Sequence, residues 1–423
     1  MTDENMFCFQ CEQTAGCTAC TGAAGVCGKT ADVARLQDDL TGTLVALARA
    51  ESGGRGDTES DGLMLEGMFA CVSNVSFDPK AIAALERRVR AKAISLGEFS
   101  SYDMRLLWDA QEDIRSLKSL LLFGMRGVAA YAYHAQALGK SDPVVTAFLY
   151  EGMRAVGSDL DMDELLPLVL KCGEVNLAAM AALEEANVSA YGKPEPATVE
   201  LKVEAGPFIV VTGHDLHDLK QLLEQTEGRG VNVYTHGELL PGHGYEGLKK
   251  YPHLVGNFGG AWQDQQKQFD NIPGCILMTT NCLMRPRESY KDRIYSTNVV
   301  GWEGVKHIGR KENGDKDFSE IIQQAIELGG YPKNQEPREI LVGFGHHAAL
   351  SYAEKIVEAV KAGKIRHFFL IGGCDGARPG RNYYTEFAKM VPKDCMILTL
   401  ACGKYRFNKL EFGEVAGLPR LLD

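Results

Sequence analysis

After residue 205 the chain changes period. Short apolar runs begin to alternate with helical stretches: "PFIVVTG", "DLHDLKQLLEQTEGRG", "VNVYT", then "GCILMTT", "REILVGFG", "SYAEKIVEAVKAGK", "IRHFFLIGG" and "CMILTLACG". Strand, helix, strand repeated in this way is the pattern of open parallel sheets. The interruption at "GYPKNQEPRE" divides the run into two α/β domains, 205–333 and 336–423. In such sheets ligands gather at the carboxyl ends of the strands. The residues just after each apolar run are therefore the ones to inspect for chemistry.

Before that point the period is helical. "ADVARLQDDLTGTLVALARA" and "PKAIAALERRVRAKAISLG" carry apolar residues at three- and four-residue spacing. The stretch from Asp103 to Gly139 reads as mostly helix, with Gly124, Gly127 and Gly139 as candidate breaks. "SDPVVTAFLYEGMRAVG" opens with Asp142 as a cap and Pro143 in the first turn. Long helices joined by short connections predict an antiparallel bundle over 31–195, behind a cysteine-rich segment at 1–30. "GKPEPATVELKVEAG" reads as the linker into the α/β half, and residues 243–262 as a glycine-rich loop.

At 423 residues the chain is too long for one core. Its net charge of −11, with no basic stripe, argues against nucleic acid as a partner. No apolar run reaches the roughly 18 residues that cross a bilayer, so no membrane partner is expected. "MTDENMFCFQ" lacks a basic segment followed by an apolar one, so it is not a secretory signal. The expected location is cytoplasmic.

Cysteine is the unusual component. Of twelve, five lie at Cys8, Cys11, Cys17, Cys20 and Cys27. In a reducing compartment such a cluster points to metal rather than disulfides. A C-x2-C pair brings two sulfurs to one side of a turn, and two further cysteines complete four ligands. Iron–sulfur is one reading and structural zinc the other. Cys8 and Cys11 belong to either; spacing alone leaves Cys17 or Cys20 as the spare.

A second set sits at strand ends. His214 follows "VVTG", Glu238 follows "VNVYTHG", Cys282 follows "LMTTN", Cys374 follows "FFLIGG" and Cys402 follows "ILTLA". Each alone has a mundane reading, a packed cysteine or a hydrogen-bonded histidine. Their shared placement, and their mixture of sulfur, nitrogen and oxygen donors, point to an iron site. Cys71, Cys172, Cys275 and Cys395 show no such placement and read as packing residues.

"CFQCEQTAG…CGKT", "SLLLFGMRGVAAYAYHA", "TGHDL", "THGELLP", "TTNCL", "GGCDG…RNYYTEF" and "ACGKYRFNKL" together resemble the hybrid cluster protein family, also called the prismane or hydroxylamine reductase family. The resemblance covers essentially the whole chain. It implies an N-terminal helical bundle domain and two Rossmann-like α/β domains with mostly parallel sheets. It implies a [4Fe-4S] cluster on Cys8, Cys11, Cys20 and Cys27, the C-x8-C gap after Cys11 leaving Cys17 as the spare. It implies a hybrid [4Fe-2O-2S]-type cluster on His214, Glu238, Cys282, Cys374 and Cys402, with Cys374 at the position that carries a persulfide. His214, Glu238 and Cys374 are the expected catalytic residues.

The activity implied is reduction of hydroxylamine to ammonia and water, with an electron-donor redox protein and a small nitrogen-oxide substrate as partners. Nitric oxide reduction is the neighbouring alternative. A non-catalytic redox, nitrosylation or electron-transfer role is the alternative from another class. Family members continue past "GLPRLLD" into Gly-Gln-Cys-Asn and Trp-Tyr-Glu-Gln-Lys motifs. This sequence stops at Asp423, so the last α/β domain is expected to be incomplete and the hybrid site to lack a cysteine, a glutamate and a lysine.

Overall fold

The computed structural model describes residues 6–11, 13–51, 56–374, 376 and 380–423, leaving aside the side chain of Cys17. Two compact units emerge. One comprises Met1–Ser189, Asn281–Arg285 and Val299–Gly304; the other comprises Ala190–Thr280, Pro286–Asn298 and Val305–Asp423.

The first unit is helical. Its main helices are Ala31–Ala50, Thr58–Ala70, Pro79–Ser95, Glu112–Ala137, Pro143–Val156 and Met162–Tyr191. Their starts are fixed locally. The side chains of Thr30, Asp57 and Asp142 accept from the backbone N–H of Val33, Ser60 and Val144, each satisfying a donor that the first turn leaves open. Gly124 and Gly127 do not break Glu112–Ala137 but lie inside it; Gly139, at φ +78°, follows its end. A Cβ at Gly124 would come 2.9 Å from Cys172 Sγ, so this glycine permits a close approach. Leu44, Met64, Met68, Leu121, Met125 and Phe148 fill the core.

Met162–Tyr191 is long and apolar enough to cross a membrane by length and composition, with a mean hydropathy of 1.4. Reading for an uninterrupted apolar run missed it, because Pro167, Lys171 and Glu174 fall within it. Cys172, Val175 and Ala179 from this helix are buried in the bundle core.

In the second unit an eight-stranded sheet runs in the order Glu339–Val342, Ala197–Glu200, Leu254–Asn257, Asn232–His236, Phe208–Thr212, Cys275–Met278, Ile294–Thr297, Lys306–Ile308. The neighbours are parallel apart from Glu339–Val342, which is antiparallel to Ala197–Glu200. Phe208–Val211 are wholly buried, as a strand covered on both faces requires. A separate parallel sheet joins His367–Gly372, Cys395–Leu400 and Leu421–Leu422. The chain is thus a multidomain α plus α/β protein with mostly parallel sheets.

Three readings of the sequence need correction. The linker contains the strand Ala197–Glu200. The glycine-rich loop contains the strand Leu254–Asn257, following a 3-10 helix at Gly237–Gly244. Glu339–Val342, expected to open the second α/β domain, joins the first sheet instead. All three strands are four residues long. So short a run gives little side-chain periodicity, which hides the first two, and the apolar run of the third does not say which sheet it joins. Cys71, Cys172, Cys275 and Cys395 are buried, as packing residues should be.

Behind the strand Phe208–Thr212 lies a buried polar network. Asp218 accepts from Lys316 Nζ, from Thr297 Oγ1 at 2.6 Å and from Asn298 Nδ2 at 3.0 Å. Asn298 Nδ2 also donates to Asp215 Oδ2 at 3.0 Å. The Lys316 and Asp218 side chains are 1% and 0% exposed. Removing one partner strands the other charge without water. Lys316→Met is therefore expected to destabilise the protein by about 3–5 kcal/mol, read as a fall in the urea midpoint at unchanged slope.

Candidate metal centres

The N-terminal cysteines are organised by a short antiparallel pairing. Cys8 N–H donates to Cys20 O at 3.1 Å and Cys20 N–H returns to Cys8 O at 2.8 Å, so the two residues face each other. Thr14 N–H donates to Cys11 O at 3.3 Å, and Gly28 N–H to Gly25 O at 2.9 Å, folding the loops that carry Cys11 and Cys27. Burial pushes the Cys11 thiol up to about 11, and Cys27, Cys8 and Cys20 push in the same direction. Burial likewise raises Cys27, with Cys8 and Cys20 adding to the rise. Such influences fall off with distance, so all four sulfurs lie in one neighbourhood. Four thiolates that repel one another in a partly desolvated pocket need a cationic centre, which an iron–sulfur cluster supplies. The side chain of Cys17 lies outside those described.

The strand-end residues show a common construction. Phe208–Thr212 and Asn232–His236 are parallel, with Thr212 opposite His236. His214 and Glu238 each come two residues after those strand ends. His367–Gly372 and Cys395–Leu400 are parallel, with Gly372 opposite Leu400. Cys374 and Cys402 again come two residues later. Between strand and candidate ligand stands a residue of positive φ each time: Gly213 (+114°), Gly237 (+56°), Gly373 (+116°) and Ala401 (+62°). That left-handed step turns the chain off the sheet and swings the next side chain over its edge. Only alanine among the four carries a Cβ into this region.

Gly213 is the most constrained. A Cβ there would meet Thr279 Oγ1 and come 2.7 Å from Thr280 N. Gly213→Ala should therefore move the His214 turn, cost roughly 1–3 kcal/mol of stability, and lower the iron content bound beyond the N-terminal cluster. Unchanged iron content and melting temperature would show that the turn tolerates a side chain.

His214 is exposed, yet its ring is held. Its N–H donates to Thr280 Oγ1 at 2.7 Å and its Nδ1 lies 3.1 Å from the same oxygen. In the tautomer that donates Nδ1–H to Thr280, Nε2 keeps its lone pair for a metal. Glu238 is half-buried, and its Oε1 is shielded from water with no hydrogen-bond partner among the described residues. A buried carboxylate oxygen left in this state is costly unless something cationic occupies the place beside it.

Around Glu238 gather residues that sequence reading did not single out. Tyr405 hydroxyl donates to Gly237 O, which ties the Cys402 turn to the Glu238 turn. Lys404 is buried, donates to Asp423 Oδ1 at 2.9 Å and feels both Glu238 and Cys402. Burial raises the Tyr405 hydroxyl well above its ordinary range, with Glu238 and Cys402 adding to the rise. Gly403 N–H donates to Gly373 O at 2.5 Å, joining the Cys402 turn to the Cys374 turn. Gln263 Nε2 holds Cys374 O at 3.1 Å. Cys402 is buried and Cys374 exposed. The structure thus links the turns of Glu238, Cys374 and Cys402, and sets the His214 turn beside that of Glu238. Cys282 belongs to the helical unit, within Asn281–Arg285.

Asp215, His217 and Asp218 also bring ligand atoms within 4.8 Å of one another. Lys316 and Asn298 already engage those carboxylates, so this group is a charge network that holds the fold.

Thiolate, imidazole and carboxylate donors at the edges of parallel sheets, with a four-thiol loop at the N-terminus, define an iron–sulfur protein of mixed α and α/β architecture. Over residues 6–423 the chain matches the Prismane/CO dehydrogenase family, and it belongs to that family. It is 48% identical to a hydroxylamine reductase of Thermodesulfovibrio yellowstonii and 47% identical to one of Maridesulfovibrio salexigens; each match covers 99% of this chain and 82% of the relative. Among solved structures it is similar in fold to carbon monoxide dehydrogenase IV from Carboxydothermus hydrogenoformans, with a TM-score of 0.52 at 15% identity, covering 99% of this chain and 76% of that one. A carbon monoxide dehydrogenase from Thermococcus sp. AM4 gives a TM-score of 0.51 at 17% identity, covering 99% and 74%.

Proposed function

We propose that this chain is an iron–sulfur oxidoreductase that reduces hydroxylamine. Two electrons and two protons enter, the N–O bond breaks, and ammonia and water leave. The observation that carries this reading is the Glu238 carboxylate. The residue is half-buried, its Oε1 is shielded from water with no hydrogen-bond partner among the described residues, and it shares with Cys402 the neighbourhood of Tyr405 and with His214 one sheet edge. The hydroxylamine reductases that resemble the chain over nearly its whole length supply the substrate class.

Cys8, Cys11, Cys20 and Cys27 are assigned to a [4Fe-4S] cluster that receives electrons from a redox donor protein. His214, Glu238, Cys282, Cys374 and Cys402 are assigned to a hybrid [4Fe-2O-2S]-type cluster. When bound, that group supplies an open iron position and the two electrons. The chain supplies the rest. Thr280 orients the His214 ring. Tyr405 fixes the Glu238 turn through Gly237 O. Lys404, held by Asp423, keeps a positive charge and a set of protons near Glu238. Glu238 and His214 orient the small substrate, and Glu238 moves protons to it. Cys374 is exposed, with its carbonyl oxygen held by Gln263.

The test is turnover. Anaerobically prepared, iron-loaded protein with a reduced viologen donor should consume two electrons for each ammonia formed from hydroxylamine. Fully loaded protein that takes up electrons but forms no ammonia would reduce the chain to an electron carrier.

A further inference from the structure

Under the cysteine loop the helical unit buries two cations. Lys29 is 3% exposed; its Nζ donates to Gln37 Oε1 at 2.5 Å and lies 3.9 Å from Cys8 Sγ. Arg126, 6% exposed, donates to Gln10 Oε1 at 2.8 Å and to Thr41 Oγ1 at 2.9 Å. Gln10 is the residue before Cys11, so the guanidinium pins the loop. Asp38 faces both cations and accepts from Trp108 Nε1 at 3.0 Å.

Gln37 is itself fixed. Its Nε2 donates to Ser76 O at 3.1 Å, which leaves Oε1 turned toward Lys29. An ammonium has three donors and no acceptor. One donor is taken by Gln37, and the Cys8 sulfur lies within reach of another. A buried ammonium gains little from water, so the Cys8 sulfur and the Asp38 carboxylate become its counterweights. No local pattern in "CGKT" shows that Lys29 is buried against Cys8 and Gln37.

We propose that Lys29 is a positioning residue that sets the reduction potential of the N-terminal cluster, with Gln37 holding its ammonium against Cys8. This rests on the assignment of Cys8, Cys11, Cys20 and Cys27 to a four-iron cluster. Reduction adds one negative charge to a centre already ringed by thiolates. A fixed positive charge beside a ligand sulfur favours that reduced form, and hydrogen bonds to ligand sulfurs act in the same direction.

The experiment is a redox titration of the anaerobic, full-length protein, with the four-iron signal followed by EPR. Lys29→Met should lower the reduced-to-oxidised ratio at a fixed potential at least tenfold, a fall of 59 mV for a one-electron couple. Lys29→Arg keeps the charge and should remain within a threefold change. If Lys29→Met fails to take up iron, Gln37→Glu decides, since a carboxylate there neutralises the ammonium in place and should lower the ratio as well. Loaded variants that titrate with the wild type overturn the proposal, as does Lys29→Arg shifting as far as Lys29→Met. A wild-type protein without a four-iron signal instead overturns the cluster assignment beneath it.

Discussion

Cys20→Ser protein should be isolated without its N-terminal cluster. The expected loss is about four iron atoms per chain with the accompanying visible absorbance, and a fall in donor-driven hydroxylamine reduction of at least about 10- to 100-fold. The reason lies in the backbone. Cys20 exchanges both hydrogen bonds with Cys8, which holds the two sulfurs in one neighbourhood before any metal arrives. Serine preserves that pairing but offers iron a poor ligand, so the lesion should be confined to the cluster. Cys17→Ser is the matched control. It should retain iron, absorbance and turnover. Loss of the cluster from the Cys17 variant, with retention in the Cys20 variant, would reverse the assignment.

The second large effect belongs to Glu238. Glu238→Gln keeps the shape and removes the charge. Because Oε1 is buried without a partner, the substitution replaces a costly anion with an amide that no described group awaits. Hydroxylamine turnover should fall by at least about 10- to 100-fold, the scale on which even the partners that support a metal's ligands act. Iron content beyond the N-terminal four should fall with it, while the [4Fe-4S] EPR signal remains. Wild-type turnover and iron content in Glu238→Gln would show that the carboxylate is neither ligand nor proton carrier, and would sink the central observation behind the proposed function.

Much of this protein is written locally. Helix starts are legible because a cap needs only a side-chain oxygen and a backbone N–H a few residues apart, as at Thr30, Asp57 and Asp142. The cysteine loop is legible because ligand spacing is a property of one short segment. The strand-end residues are legible because parallel strands raise their carboxyl ends at one edge, so a residue two past an apolar run is placed by the fold class alone. The positive-φ residue ahead of His214, Glu238, Cys374 and Cys402 came only with the structure, although three of the four are glycine.

What the sequence could not fix depends on contacts between distant segments. Tyr405 meets Gly237 across 168 positions, and no local pattern announces that Lys404 will lie near Glu238. Lys29 looks like any lysine at a helix start until Gln37, oriented by Ser76, turns its ammonium toward Cys8. Ala197–Glu200 was missed because its four residues leave almost no side-chain signature, and Glu339–Val342, legible as a strand, was given to the wrong sheet because partner choice is made between distant segments. The chain by itself therefore determined its main helices, most of its strands and the placement of its candidate donors just past strand ends, which follow from short-range stereochemistry. Tertiary structure alone decided which strands pair and which charges are buried beside those donors, because both are set by desolvation and register between segments far apart in sequence.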